Sequence, residues 1–488
     1  MKEIFKQIYP YLILFVGAVL VLLTSTLSPL ANIISDSDSQ VYVFCAEQIL
    51  SGKIMYKDIF DHKGPLLYLL NIIGLLIGGG KNIGIWLVEI VSLFVALIFI
   101  YKSICLFYDK FVALLSSFSS LVLFMLIFNG NLPEEYAVSF MSIAVYYFCK
   151  IFNGLSVRKK DYFIIAICFA CVFFLKPNLT AIWMVGWLMY FILLVKTKDF
   201  KTLKPFITYS FLGAIVILVP FSLYFYLTDS FADFKFCYWD FNKAYSDPSL
   251  KDMFIRSIQR SYLYPIYRYC NVHIFLFSFL IVSIVNFKYL ENKKVTLFVV
   301  STILVSMIMI TLSQYLLVHY YLIFVPIIGF AYAMAYHFFK KKIAHRSVTI
   351  CIALFLFLNS LAFTVGINEV KKQQVQEPYK TNLISYIKQN TDSNDKITVF
   401  GNCCWVYSLS QRESVSRYAY VSPIMYIKDY GDIIYESYCD DVEKEKPRMI
   451  ISDKNPITEY SRLLSIINSD YIQIDSSDFG RFECWIRK

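Results

Sequence analysis

Apolar runs recur over the first 366 positions, separated by short polar loops. Each is roughly 17 to 25 residues long, enough to cross about 30 Å of hydrocarbon. The pattern predicts about eleven spans, at 8–28, 84–108, 111–128, 136–152, 162–175, 179–195, 205–227, 271–287, 295–312, 317–338 and 347–366. The first run is too long for a signal-peptide core and lacks a small-residue cleavage site, so it reads as an uncleaved span. Two shorter helices are expected within 29–83. Val41, Phe44, Cys45 and Ile49 share one side of a 3.6-residue wheel, with Gln40, Glu47 and Ser51 elsewhere. This predicts an amphipathic helix lying on the membrane surface and ended by Gly52. Pro65 opens the second helix, which closes at Gly78, Gly79 and Gly80 and is too short for a complete crossing. Beyond 366 the periods change. ITVFG, RESVSRYAYV, RMIISD and YIQIDSSDFGRFECWIRK read as strands, and TNLISYIKQNT and TEYSRLLSIIN as helices. The expected organisation is a polytopic α-helical membrane domain over 1–366, with the first outer loop and its juxtamembrane helices at 29–83, and a small soluble α/β domain over 367–488.

Composition sharpens this picture without changing it. Of 488 residues, 58% are hydrophobic and 18% aromatic, with a mean hydropathy of +0.56, which is not the profile of a soluble chain. The net charge of +10 would suggest nucleic acid if the basic residues were scattered. They instead gather in alternate loops, such as Arg158, Lys159 and Lys160, or Lys196, Lys198, Lys201 and Lys204. That is the positive-inside pattern, so the charge is a topology signal. An anionic lipid donor is compatible with it; a nucleic-acid partner is not supported. The expected location is the cytoplasmic (plasma) membrane, multi-pass, with the N-terminus inside. The loops 29–83, 129–135 and 228–270 and the C-terminal domain then share the outer face. Most of the twelve cysteines lie within spans; for Cys403, Cys404, Cys439 and Cys484, disulfides and free thiols both stay open.

Candidate chemistry collects on that outer face. Asp36 and Asp38 stand at the start of the first short helix, where a carboxylate either caps backbone amides or is held reactive by them. Asp61, His62 and Lys63 precede Gly64 and Pro65 at the electropositive end of the second. Such an end with a lysine binds phosphate, although a lysine there also snorkels to headgroups. Glu134 and Glu135 follow Pro133 at a span boundary, as caps or as partners of a cation, donor or substrate. Lys176 sits in a polar turn, FLKPNLT, and His319 with Tyr320 at the outer end of a span. Between 234 and 269, aromatic residues alternate with Lys235, Lys243, Arg256, Arg260 and Arg268, which would suit an anionic lipid and a sugar ring.

DSQVYVFCAEQILSGK followed by YKDIFDHKGPLLYLL resembles the first outer loop of GT-C membrane glycosyltransferases, in the branch holding protein O-mannosyltransferases, the lipid A aminoarabinose transferase and RgtA-like enzymes. The matching positions are Asp38, Tyr42, Ala46, Gly52, Lys63 and Pro65, and NLPEEYA resembles the second acidic loop. The motifs cover about residues 30–140 and the layout covers the first 366. The resemblance implies a GT-C-like fold and transfer of a sugar from a polyprenyl phosphate donor to an envelope glycan, lipid or protein acceptor. It implies Asp38 as general base in an inverting single displacement, with Asp36 as an additional acid. Lys63, with His62 beside it, would contact the donor phosphate, and Glu134 or Glu135 would orient substrate or hold a metal. Asp61, Lys176, His319 and Tyr320 are weaker substrate-binding candidates. No cofactor is firmly implied, a divalent metal staying open. Ser39 stands where the family often has Glu, and Gly64 where it often has Pro, so acceptor and metal details do not transfer. The rival reading is a transporter or flippase of lipid-linked sugars; a polymerase of lipid-linked units stands third.

Overall fold

The computed structural model describes residues 2–31, 34–121, 124, 130–245, 292–311, 317–342, 377–453 and 460–488. The spans expected at 271–287 and 347–366, together with Arg256, Arg260 and Arg268, lie outside the described residues. The chain divides into two compact units. One comprises Met1–Ala31, Ile83–Leu223 and Asp247–Lys371; the other comprises Asn32–Asn82, Tyr224–Ser246 and Lys372–Lys488.

The first unit is helical. Its helices run Lys2–Leu22, Ile83–Cys105, Lys110–Ser119, Pro133–Phe152, Lys159–Phe173, Ala181–Lys196, Phe200–Leu227, Lys293–Thr311 and Val325–Lys342 among the described residues. Ile83–Cys105, Phe200–Leu227 and Lys293–Ile310 are long and apolar enough to cross a membrane. The boundaries follow local chemistry. The first helix stops at Leu22, short of the expected 28, because Thr24 turns back to bond the Val21 carbonyl and Ser25 is drawn to Glu89. The run expected as one span at 317–338 is instead a 3-10 turn, Val318–Phe324, feeding the Val325–Lys342 helix. Ile83–Cys105 lies at the centre, packed by Lys2–Leu22, Lys110–Ser119 and Pro133–Phe152. The Trp86 indole donates to the Leu22 carbonyl at 2.7 Å.

The second unit joins the first loop to the C-terminal α/β segment. Its two short helices are Asp38–Leu50 and Pro65–Ile77, packed on each other. Gly52, at φ +99°, ends the first as expected, a backbone that side chains other than glycine's rarely adopt. The surface-lying, one-sided helix expected at 38–50 is not what forms. Ser39 and every residue from Val41 to Ala46 are buried, because the C-terminal helix Trp405–Ser410 packs on it, placing the Tyr407 ring 5.3 Å from that of Phe44 at a tilt. The sheet is β1 (Lys396–Phe400), β2 (Glu413–Ser414), β3 (Met449–Asp453), β4 (Tyr471–Gln473) and β5 (Phe482–Arg487), ordered β2-β1-β3-β5-β4. β1 pairs parallel with β2 and β3; β5 pairs antiparallel with β3 and β4. The buried centre, β3, reads MIISD, apolar on both faces at its start. The long strand expected at RESVSRYAYV shortens to two residues. Its remainder turns to meet the first loop, with the Arg417 carbonyl accepting from Phe60 N at 2.8 Å and the Tyr420 hydroxyl donating to Asp61. Cys403, Cys404, Cys439 and Cys484 are free and buried.

Burial also gives this unit a pH-dependent element. It pushes the Glu47 carboxyl up, with the Ser408 hydroxyl pulling partly back. A carboxyl whose folded-state value lies above its unfolded one binds its proton more tightly when folded, so its contribution is complete below the unfolded value and lost as pH rises through the folded one. Glu47→Gln is therefore expected to raise the midpoint of thermal unfolding at neutral pH and to leave it unchanged near pH ~4.

Candidate functional site

Asp36 and Asp38, two residues apart, meet opposite environments. Asp36 Oδ2 pairs with Lys380 Nζ at 3.1 Å and Arg481 Nη2 at 2.8 Å, and its Oδ1 accepts from Trp405 Nε1 at 2.7 Å. Arg481 in turn lies 2.7 Å from Asp453. Burial works against the Arg481 guanidinium, but Asp36 and Asp453 outweigh it and hold its proton more tightly than usual. Both oxygens of Asp36 are thus spent joining the loop to the α/β segment. Asp38, in the first turn of its helix, is exposed and has no hydrogen-bond or ion-pair partner among the described residues. Of the two, Asp38 is the carboxylate open to a ligand.

Asp61, His62 and Lys63 form a connected row in the same unit. Asp61 is 2% exposed and accepts from the hydroxyls of Tyr68 at 2.6 Å and Tyr420 at 2.7 Å and from His62 N at 2.7 Å. His62 Nδ1 is 3.4 Å from Asp61 Oδ1, and its Nε2 is 2.5 Å from Lys63 Nζ. The Tyr56 hydroxyl fixes the Lys63 carbonyl at 2.6 Å, and Pro65 opens the following helix. Lys63 therefore stands, half-buried, at a helix start whose amides point the same positive way. Tyr420 lies some 360 positions from this motif; no local signal reveals it.

In the first unit the structure gathers residues that the sequence offered separately. Glu134 is fully buried, with Oε1 2.6 Å from Lys176 Nζ and 3.7 Å from His319 Nε2. The Lys176 ammonium lies 3.8 Å from the centre of the Tyr320 ring, in cation–π range. Glu134 Oε2 is buried without a hydrogen-bond partner among the described residues, an arrangement that costs free energy unless a donor group arrives.

Glu135 meets a residue the sequence reading passed over. Glu89, in the middle of an apolar helix, accepts from Asn131 N at 2.5 Å and from Ser25 Oγ at 3.1 Å. Glu135 accepts from Gly130 N at 3.3 Å and Leu132 N at 3.2 Å. The two carboxyls interact electrostatically at close range. The available signal was an acid within a span, an expensive placement that calls for partners. The turn that feeds them three successive amides depends on Gly130, at φ +88°, whose added Cβ would lie 2.0 Å from Ser25 Oγ. Gly130→Ala is expected to destabilise the protein by about 2–4 kcal/mol, combining backbone strain with a clash, as measured by unfolding in micelles. Among the described residues, no three His, Cys, Asp or Glu side chains group as a metal site.

Residues 2–349 match the family model described as the putative competence-induced protein Ccs4 N-terminal domain. No curated protein sequence matches the chain. The structure is similar to that of ArnT from Cupriavidus metallidurans bound to undecaprenyl phosphate, with TM-score 0.66 and 12% identity over 97% of both chains. The apo state of the same protein gives TM-score 0.65 and 11% identity over the same shares. The apo Archaeoglobus fulgidus oligosaccharyltransferase gives TM-score 0.58 at 12% identity over 96% of this chain and 73% of that one. At such identities the likeness establishes the fold, that of GT-C membrane transferases.

Proposed function

This chain belongs to the Ccs4 N-terminal-domain family, and we propose that it is a membrane glycosyltransferase moving a sugar from a polyprenyl phosphate donor to an envelope glycan, lipid or protein acceptor at the outer face of the cytoplasmic membrane. The observation that carries the reading is end-to-end similarity, 97% of both chains, to a transferase captured with undecaprenyl phosphate. Asp38 and Lys63 supply the chemistry such a donor needs.

Asp38, exposed at the start of its helix, takes the proton of an acceptor hydroxyl as that oxygen attacks the sugar C1. The C1–O bond to phosphate breaks and its electron pair stays on the phosphate, so one displacement inverts the anomeric centre. Lys63 and the amides of the Pro65 helix stabilise the charge growing on the leaving group. Asp36, pinned by Lys380 and Arg481, holds the base-bearing loop in place instead of sharing the proton transfer. Within the helical unit, Lys176 and His319 hold Glu134 Oε1 and leave Oε2 as the oxygen that a polar ligand would satisfy.

The test is to supply purified protein with radiolabelled polyprenyl phosphate sugars and envelope extracts. Release of free polyprenyl phosphate with label appearing on an acceptor is the expected result. Intact donor moved across a vesicle membrane would replace this reading with transport.

A further inference from the structure

We propose that His62 is a positioning residue: its neutral imidazole clasps the Lys63 ammonium and sets the direction of the remaining N–H bonds toward the donor phosphate, and protonation of the imidazole releases the clasp. This rests on the reading of Lys63 as the phosphate contact. An ammonium donates and never accepts. At 2.5 Å from Lys63 Nζ, His62 Nε2 must therefore offer its lone pair, and the ring proton belongs on Nδ1. The opposite side of the ring agrees. Nδ1 faces Asp61 Oδ1 at 3.4 Å, and a carboxylate can only accept.

Asp61 is itself immobilised, buried and bonded by Tyr68, Tyr420 and the His62 amide. The imidazole stacks on Tyr245 with ring centres 5.6 Å apart and contacts Phe241 at 5.5 Å. Asn242 Nδ2 donates to the His62 carbonyl at 2.7 Å. Each neighbour thus restricts rotation, and the carboxylate that Nδ1 faces favours the tautomer with its proton on that nitrogen.

The pH behaviour follows from which groups face the ring among the described residues. On its own segment these are Asp61 and Lys63. From the Phe241–Tyr245 helix they are Phe241, Asn242 and Tyr245, none carrying charge. Tyr68 and Tyr420 reach it through Asp61, and burial, reinforced by Asp61, pushes the Tyr420 hydroxyl well up so that it stays neutral. Protonating His62 places a cation against the ammonium and removes its acceptor. A free histidine does this near pH ~6.5.

The experiment measures binding of a polyprenyl methyl phosphodiester, whose single negative charge is constant over roughly pH 5 to 8, to full-length protein in zwitterionic nanodiscs. Wild-type affinity is expected to fall about tenfold on acidification, the worth of one charge-assisted hydrogen bond. His62→Gln keeps an acceptor that does not titrate, so its affinity should be flat with pH and near the neutral wild-type value. His62→Phe should be weak throughout. Affinity that rises on acidification would make the imidazolium itself a phosphate ligand and overturn the proposal, as would a His62→Gln profile with the wild-type slope. Lys63→Met separates the two layers. If it binds the diester as well as wild type, the phosphate role of Lys63 is wrong; if it loses binding while both His62 variants match wild type, only the clasp is wrong. Thermal melts of each variant guard against misfolding, and the glutamine variant decides the matter if the phenylalanine variant does not fold.

Discussion

Asp38→Asn is expected to lower the rate of sugar transfer by about 10²–10⁴-fold, the worth of a general base, with affinity for polyprenyl phosphate unchanged. The separation of the two effects follows from where the carboxylate sits. Asp38 is exposed in a first helical turn and partnered by no described residue, so the amide replaces it without leaving a buried charge. Asparagine is also well tolerated at helix starts. Asp36→Asn supplies the contrast. It weakens the hold on Lys380 and Arg481, and its effect should appear first as lost thermal stability and faster amide exchange along Asp38–Leu50. Single-turnover rates and donor binding, measured for both variants, distinguish base from scaffold. An Asp38→Asn enzyme turning over within a few-fold of wild type would remove the base from this reading.

The second large effect is structural. Lys176→Met should destabilise the helical unit by about 3–5 kcal/mol, because it strands the Glu134 carboxylate in a buried site. Glu134 is fully buried and Lys176 is its 2.6 Å partner, with His319 only at 3.7 Å. Pairing Lys176→Met with Glu134→Gln should recover most of the loss, since a neutral amide removes the unpaired charge. Unfolding of the two single variants and the double variant in micelles forms a cycle whose coupling term reports the pair. Additive losses would mean that the ion pair does not hold these segments together. The double variant, restored in stability, should still transfer sugar poorly if Glu134 handles substrate, which separates folding from function.

Several elements were legible because they obey short-range rules. Pro65 and Pro133 opened helices where a missing amide costs nothing. Gly52 and Gly78 closed theirs, and β1, β3 and β5 appeared where β-branched and aromatic residues cluster. That an acid at Asp38 and a lysine at Lys63 stand beside helix starts was also readable. The failures share one cause. The Asp38–Leu50 helix carried an amphipathic pattern, but the C-terminal segment covers it. RESVSRYAYV carried strand-like residues, but Arg417 and Tyr420 were drawn away to Tyr56 and Asp61.

The sequence by itself determined that this chain is a membrane protein, where most of its described helices begin to within about three residues, and which short loops carry acids and cations, because hydropathy, capping and turn chemistry act over a few positions. Only the tertiary structure decided what those charges do. It spent Asp36 on Lys380 and Arg481 while leaving Asp38 open, linked Asp61 through His62 to Lys63, and drew Glu134, Lys176 and His319 into one cluster. The reason is physical: a charge's role depends on its partners and its exposure, and partners such as Asp36 and Arg481, or Asp61 and Tyr420, are brought together by packing and not by neighbourhood along the chain.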